Sequence, residues 1–465
     1  MMTPVLLHRA TIVTASKEAV GSLIISDGII ADVIYADNDG FEARIKEAYG
    51  RYPDLVTYDL SGKYLMAGGI DAHVHFRDPG LTHKADIYTE SRSAAAGGIT
   101  SVIDMPNTSP ATVSAENLKA KIDSVGTRSA INIGFHIGAT NSNIGEIEDI
   151  LADKSCIPSE SVGGVKVFMG SSTGNMLVDD SNTLDRIFRI RKRPVLVHCE
   201  DESTIKANLQ SAMETYGEDI PFSEHENIRS RKACIKSSIA ALEKAMQHGT
   251  RLVLCHISTK EEIEMVRAAK AINPAIIAET SCNYLWFTDE AYERLGSRAK
   301  CNPSIKTADD RAALRKALAE GIIDTIGSDH APHLLSEKNE KYMKAPSGLP
   351  SIQQSLPLLL TIAEEEDIPL TRIAAAFSEN ASDLYRLDRG KIKAGYAADI
   401  VVFDKEAETS VRNEDQAGKC GWSPYAGDTL KGRIEHVFVN GCPVIRNGKM
   451  TDIQDHGDIL TFKNL

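Results

Sequence analysis

The chain has 465 residues, of which 42% are hydrophobic and 25% charged, with 33 Gly and 17 Pro, the make-up of a soluble globular protein large enough to bury a sizeable core. Fifty-two Lys and Arg against 65 Asp and Glu leave a net charge of −13, which argues against broad binding to nucleic acid or anionic membranes. No run of about 18 apolar residues could span a bilayer, and the opening MMTPVLLHRATIVTAS lacks the basic-then-apolar pattern of a secretory signal, so a cytoplasmic address is expected.

The first 60 or so residues hold short β-rich segments, ATIVTAS and SLIISDGIIADVIYA, the second with the turn signal Asp27-Gly28. Apolar β-rich runs then alternate with longer amphipathic stretches. The runs are 65–75, 100–106, 132–139, 163–169, 194–200, 251–258, 275–282 and 324–330. Helical spacing fills the gaps, as in KADIYTESRSAAAG, KEEIEMVRAAKAI and DDRAALRKALAE. Eight β-α units predict an α/β fold, a (β/α)8 TIM-like barrel with a parallel sheet. After it come AADIVVFD and HVFVNGCPVI, the latter with the turn signal Asn440-Gly441. The expected organisation is therefore a barrel over 63–388, with 1–62 and 389–465 joining into one small β side domain. The eight cysteines include no CxxC pair, which predicts reduced, mostly buried thiols.

Chemistry in such a barrel sits at the C-terminal ends of the strands. Here those ends carry His73 and His75, Lys166, His198, His256 and Asp329. The two-residue period of a strand puts His73 and His75 on one face and Val74 on the other. It also predicts that Cys199 and Cys255 turn away from His198 and His256 as packing groups. A lone His-x-His or single histidine is more often an ordinary core residue; their shared placement at strand ends points to metal ligation. Imidazole and carboxylate suit zinc best, with other divalent metals open, and this many ligands predicts a pair of ions about 3.5 to 4 Å apart. A lysine ammonium has no lone pair to offer a cation. Yet Lys166 lies inside the apolar run GGVKVFMG, where burial beside cations favours the neutral amine, which reacts with carbon dioxide to give a bridging carbamate. N-carboxylation of Lys166 is therefore expected.

These residues, with His73-Val74-His75-Phe76-Arg77-Asp78-Pro79-Gly80, Met105-Pro106-Asn107-Thr108 and Ser328-Asp329-His330-Ala331-Pro332-His333, resemble the amidohydrolase superfamily and, within it, the dihydroorotases. The resemblance covers nearly the whole chain. It implies that His73 and His75 bind one zinc, His198 and His256 the other, that carboxylated Lys166 bridges them, and that Asp329 contacts the first zinc and serves as general base and acid. It further implies that His75, Arg77, Asn107, Asn302, His333, Ser347 and Gly348 meet a small-molecule substrate. A guanidinium fork suits a ring carboxylate such as that of dihydroorotate. Asn283 stands where many relatives have histidine. The resemblance also implies a homo-oligomer such as a dimer. Rival readings are another cyclic amidase, such as an allantoinase or a dihydropyrimidinase or hydantoinase, and, in a different class, a non-catalytic scaffold relative. The charged stretch 334–346 reads either as a lid that closes over substrate or as a fixed surface loop.

Overall fold

The two Gly-containing turn signals fold as the spacing predicts. In the computed structural model, which describes residues 2–170, 176–451 and 456–464, Asp27 and Gly28 adopt φ of 49° and 81°, and Asn440 and Gly441 of 49° and 78°. Successive positive φ values give the tight turn that matches strand twist. One turn joins the antiparallel strands Glu18–Ser26 and Ile29–Tyr35, and the other joins Thr429–Val439 to Cys442–Arg446.

The N-terminal and C-terminal strands share one nine-stranded sheet. The seam is an antiparallel pairing of Tyr64–Ala67 with Ile400–Ser410, in which Ala67 faces Ile400 and Leu65 faces Val402. Leu7, Ile12, Leu23, Leu65, Ile400, Val402 and Phe438 bury their side chains in the core of this side domain. The helix Phe41–Arg51 within the N-terminal segment carried no expectation from sequence; it buries Phe41, Ile45 and Ala48 against Leu6, Ile24 and Ile34.

Between these segments lies the barrel. Its strands are Gly69–Val74, Ile99–Asp104, Asn132–Phe135 continued by Ile137–Gly138, Val165–Phe168, Val195–His198, Leu252–Leu254, Ile276–Thr280 and Thr325–Ile326. Neighbours pair in parallel, and a parallel bridge from Val74 to His330 connects the eighth strand to the first. The fold is thus the expected TIM-like barrel with a β side domain. Helices follow the amphipathic stretches: Ile87–Ala96, Lys260–Lys270 and Ala308–Ala319. Lys260–Lys270 starts at Thr259, whose side chain accepts from the Glu262 amide while Glu262 reaches back, and it buries Ile263, Val266 and Ala269.

Inside the barrel, Ile70, Ala72, Ile103, Leu196 and Val253 meet Tyr385, Leu460 and Phe462, so the last helix and the C-terminal tail close the floor. The opposite end is left for the polar side chains of the strand termini. Among the described residues no helix is long and apolar enough to cross a membrane.

Candidate active site

Strand one delivers its two histidines through a break in register. Pairing with the second strand shifts between Asp71 and Val74. Ile70 and Ala72 therefore pack inside the barrel while Val74 packs outside, and His73 and His75 point to the mouth. Gly327 makes room for this: a Cβ there would lie 2.7 Å from that of His73 and 2.8 Å from Glu279 Cδ.

The six expected ligand groups converge. His73, His75, Lys166, His198, His256 and Asp329 line one cavity of about 160 Å³, sized for a small molecule, together with Arg77, Asn107, Asn302, Ser347 and Gly348. Asp329 Oδ1 lies 3.2 Å from His75 Nε2 and 3.6 Å from His73 Nε2. His198 Nδ1 and His256 Nε2 face each other at 2.8 Å. Ligand atoms held about 2.0 to 2.2 Å from a common cation lie at such separations from one another.

The far nitrogens of His73, His75 and His198 support the same reading, whereas His256 Nδ1 is buried with no hydrogen-bond partner among the described residues. His73 Nδ1 donates to Glu279 Oε1 at 2.6 Å, His75 Nδ1 to Asn107 Oδ1 at 2.7 Å and His198 Nε2 to Glu200 Oε2 at 3.0 Å. An oxygen acceptor on the far side fixes the proton there and leaves the lone pair on the nitrogen that faces the cavity, the arrangement of a metal-ligating histidine. Lys166 is fully buried, lies 5.2 Å from the Phe168 ring centroid, and has the Cys255 thiol at 3.2 Å as its hydrogen-bond partner. Among the described residues Lys166 makes no ion pair, and a buried ammonium without one is costly. The donor set fits divalent cations.

Cys255 departs from expectation. Val253 and Cys255 both face the barrel interior, so strict alternation would send His256 outward. The strand ends at Leu254, and His256 takes φ of 39°, which swings its ring back into the cavity. Cys199 does face the helical layer, while His198 faces inward. Arg77 and Asp329 also have positive φ, 63° and 48°. Left-handed backbone at non-glycine residues costs about 1 to 3 kcal/mol each and gathers at functional sites.

Arg77 is buried, donating from Nε to the Pro332 carbonyl at 3.2 Å, with Nη2 3.0 Å from His333 Nε2. Burial lowers its guanidinium to about 10. The two acids near it in sequence are engaged elsewhere: Asp78 pairs with Arg128, and Asp86 caps a helix and pairs with Lys419. The charges of Asp329, Asp104, Glu337 and Glu90 act on it from nearby, with no ion pair to it among the described residues. His333 sits behind Arg77 and outside the cavity wall; burial holds its ring neutral, with Lys84 Nζ 3.2 Å from Nδ1. Asn302 Oδ1 is buried with no hydrogen-bond partner among the described residues. Asn283 is buried away from the cavity and accepts from the Tyr425 hydroxyl at 2.6 Å.

The stretch after Asp329 is packed in place. Fully buried Lys338 donates from Nζ to the carbonyls of Lys300, Pro346 and Gly348, and Lys300 Nζ to those of Tyr342 and Ala345. These bonds fix Ser347 and Gly348 at the cavity. Trp422, from the far end of the chain, donates to the His333 carbonyl at 2.8 Å.

Sequence reasoning missed Glu279, Glu200 and Arg229. The first two had a legible signal, an acid at the end of an apolar run, in AIIAETSC and PVLVHCE. Arg229 lies in a loop after the short helix His225–Ile228 and had none.

The sequence profile of the Amidohydrolase family matches residues 64–444. A dihydroorotase of Methanosarcina mazei is 32% identical over 386 residues, covering 80% of this chain and 82% of that protein. An allantoinase of Desulfitobacterium hafniense is 30% identical over 445 residues, covering 92% and 95%. The solved L-hydantoinase (dihydropyrimidinase) of Arthrobacter aurescens superposes with a TM-score of 0.89 at 25% identity, over 99% of this chain and 100% of that one. With this barrel, this cavity and these relatives, the chain belongs to the amidohydrolase family, among its cyclic amidases.

Proposed function

We propose that this protein is a dihydroorotase, which closes N-carbamoyl-L-aspartate to L-dihydroorotate, and reopens it, in the cytoplasmic synthesis of pyrimidines. The observation that carries this reading is Arg77. A buried cation whose hydrogen bonds go to a carbonyl and an imidazole is costly unless an anion completes it. A ring carboxylate is such an anion, and a guanidinium meets it with two parallel charge-assisted bonds. Hydantoin, dihydrouracil and allantoin have no ring carboxylate.

His73 and His75 would hold one zinc ion and His198 and His256 a second, with carboxylated Lys166 between them and Asp329 on the first. Bound ions supply an acidified water and polarise the ring carbonyl. Asp329 takes the proton of the attacking water and returns it to the ring nitrogen as the amide bond breaks. In ring closure it works in reverse: the ureido nitrogen attacks the side-chain carboxylate carbon, and Asp329 supplies the proton with which water leaves. Asn107, through His75, and Glu279, through His73, keep these groups aimed. Asn302, Ser347 and Gly348 border the ring.

The allantoinase relative gives the alternative substrate its weight. A zinc-supplemented assay of dihydroorotate, N-carbamoyl-aspartate, hydantoin, dihydrouracil and allantoin decides between them, run on the wild type and on Arg77→Ala. The expected result is preference for the carboxylated pair and a KM for dihydroorotate raised at least about tenfold by the substitution. Turnover of allantoin or hydantoin without dihydroorotate would overturn the substrate and leave the hydrolase.

A further inference from the structure

The cavity wall carries a second arginine that the chemistry above does not use. Arg229 lines the cavity beside His198 and Phe168. Its Nη1 donates to Glu200 Oε2, the same oxygen that accepts from His198 Nε2. The Glu200 side chain is 0% exposed and that of Arg229 11%, so the positive end of the pair is the end that meets the cavity. Among the described residues the guanidinium makes no other hydrogen bond, which leaves N–H donors for a ligand. The backbone behind it is pinned, its carbonyl accepting from Ser304 Oγ at 2.9 Å and Lys306 Nζ at 3.3 Å.

We propose that Arg229 reads the negative charge that ring opening creates, and so sets how tightly the open-chain form is held relative to the ring. In a cyclic amide the reacting carbon carries one oxygen and no charge. After opening it is a carboxylate, two oxygens sharing a full negative charge, while the ring nitrogen has gained a proton. Arg77 cannot sense that difference, because the carboxylate assigned to it is present in both forms. Arg77 follows strand one and Glu200 follows strand five, four positions apart in an eight-stranded ring. The two guanidinium groups therefore belong to opposite sides of the mouth, one suited to the invariant carboxylate and the other to the one that forms and disappears.

The inference rests on this cavity being the site of ring opening, but not on which ring is opened. The test measures KM for the ring, and KM or the product-inhibition constant for the open-chain acid, in the metal-loaded enzyme, with bound metal counted by elemental analysis. Arg229→Met combined with Glu200→Gln removes both charges and keeps an oxygen near His198. At saturating metal, where metal content is expected to hold, the open-chain constant is expected to rise about tenfold or more while that of the ring changes less than about threefold. Arg229→Lys, which withdraws the forked donors, is expected to shift the ratio in the same direction by less, and serves if the double variant does not fold. Equal rises in both constants would overturn the proposal, as would a loss of metal and kcat with the ratio unchanged, since Arg229 would then act only by positioning His198. A wild type that opens hydantoin or allantoin in place of dihydroorotate sinks the substrate assignment alone, and the ratio is then read on that ring and its product. A protein that opens no ring sinks both.

Discussion

Glu279 Oε1 lies 2.6 Å from His73 Nδ1, a carboxylate from strand seven aligning an imidazole from strand one across the closed barrel. The bond fixes the proton on Nδ1 and turns the Nε2 lone pair toward Asp329.

Glu279→Gln keeps the shape but weakens that acceptor. Metal affinity is expected to fall by about tenfold to 100-fold. Chelator competition measures it, with elemental analysis at saturation as the control. Unchanged affinity would show that the carboxylate does not support a metal ligand.

Lys166 carries the second prediction. Lys166→Ala is expected to hold fewer divalent ions than the wild type and to lose most activity. Protein equilibrated with ¹³C-labelled carbon dioxide should show a carbamate carbon by NMR in the wild type and none in the variant. Two ions and full turnover in the variant would remove the bridging role.

The third concerns pH. Burial lowers the Lys338 ammonium to about 7, whereas an unfolded lysine holds its proton up to about pH 10.4. Between these values the unfolded chain binds more protons, so this contribution to stability grows as pH rises and is lost as pH falls toward 7. The Tm of the wild type relative to Lys338→Met should therefore increase from about pH 7 to about pH 9.5 by differential scanning fluorimetry. A difference that shrinks over that range would contradict the sign.

Much of the molecule is legible in the linear chain because the relevant signals are local. Two-residue and helical periods mark the eight β-α units, Asp27-Gly28 and Asn440-Gly441 mark tight turns, and histidines at strand ends mark a metal-type constellation. What pattern alone misreads is where regular geometry stops. Alternation correctly turns Cys199 outward, but it fails at Cys255 because the strand has ended and His256 adopts left-handed backbone.

The residues of this chain determined by themselves the barrel, the side domain built from both ends, and the set of imidazoles, amine and carboxylate at the barrel mouth. Closure of the barrel decided which groups support them: Glu279 behind His73, Asn107 behind His75, Glu200 behind His198, and Lys338 beneath the Gly348 loop. These partners lie up to 206 positions apart, as Glu279 does from His73. No periodicity or spacing encodes such pairings, because hydrogen bonding depends on distance in space and direction, which arise only once the strands have closed on one another.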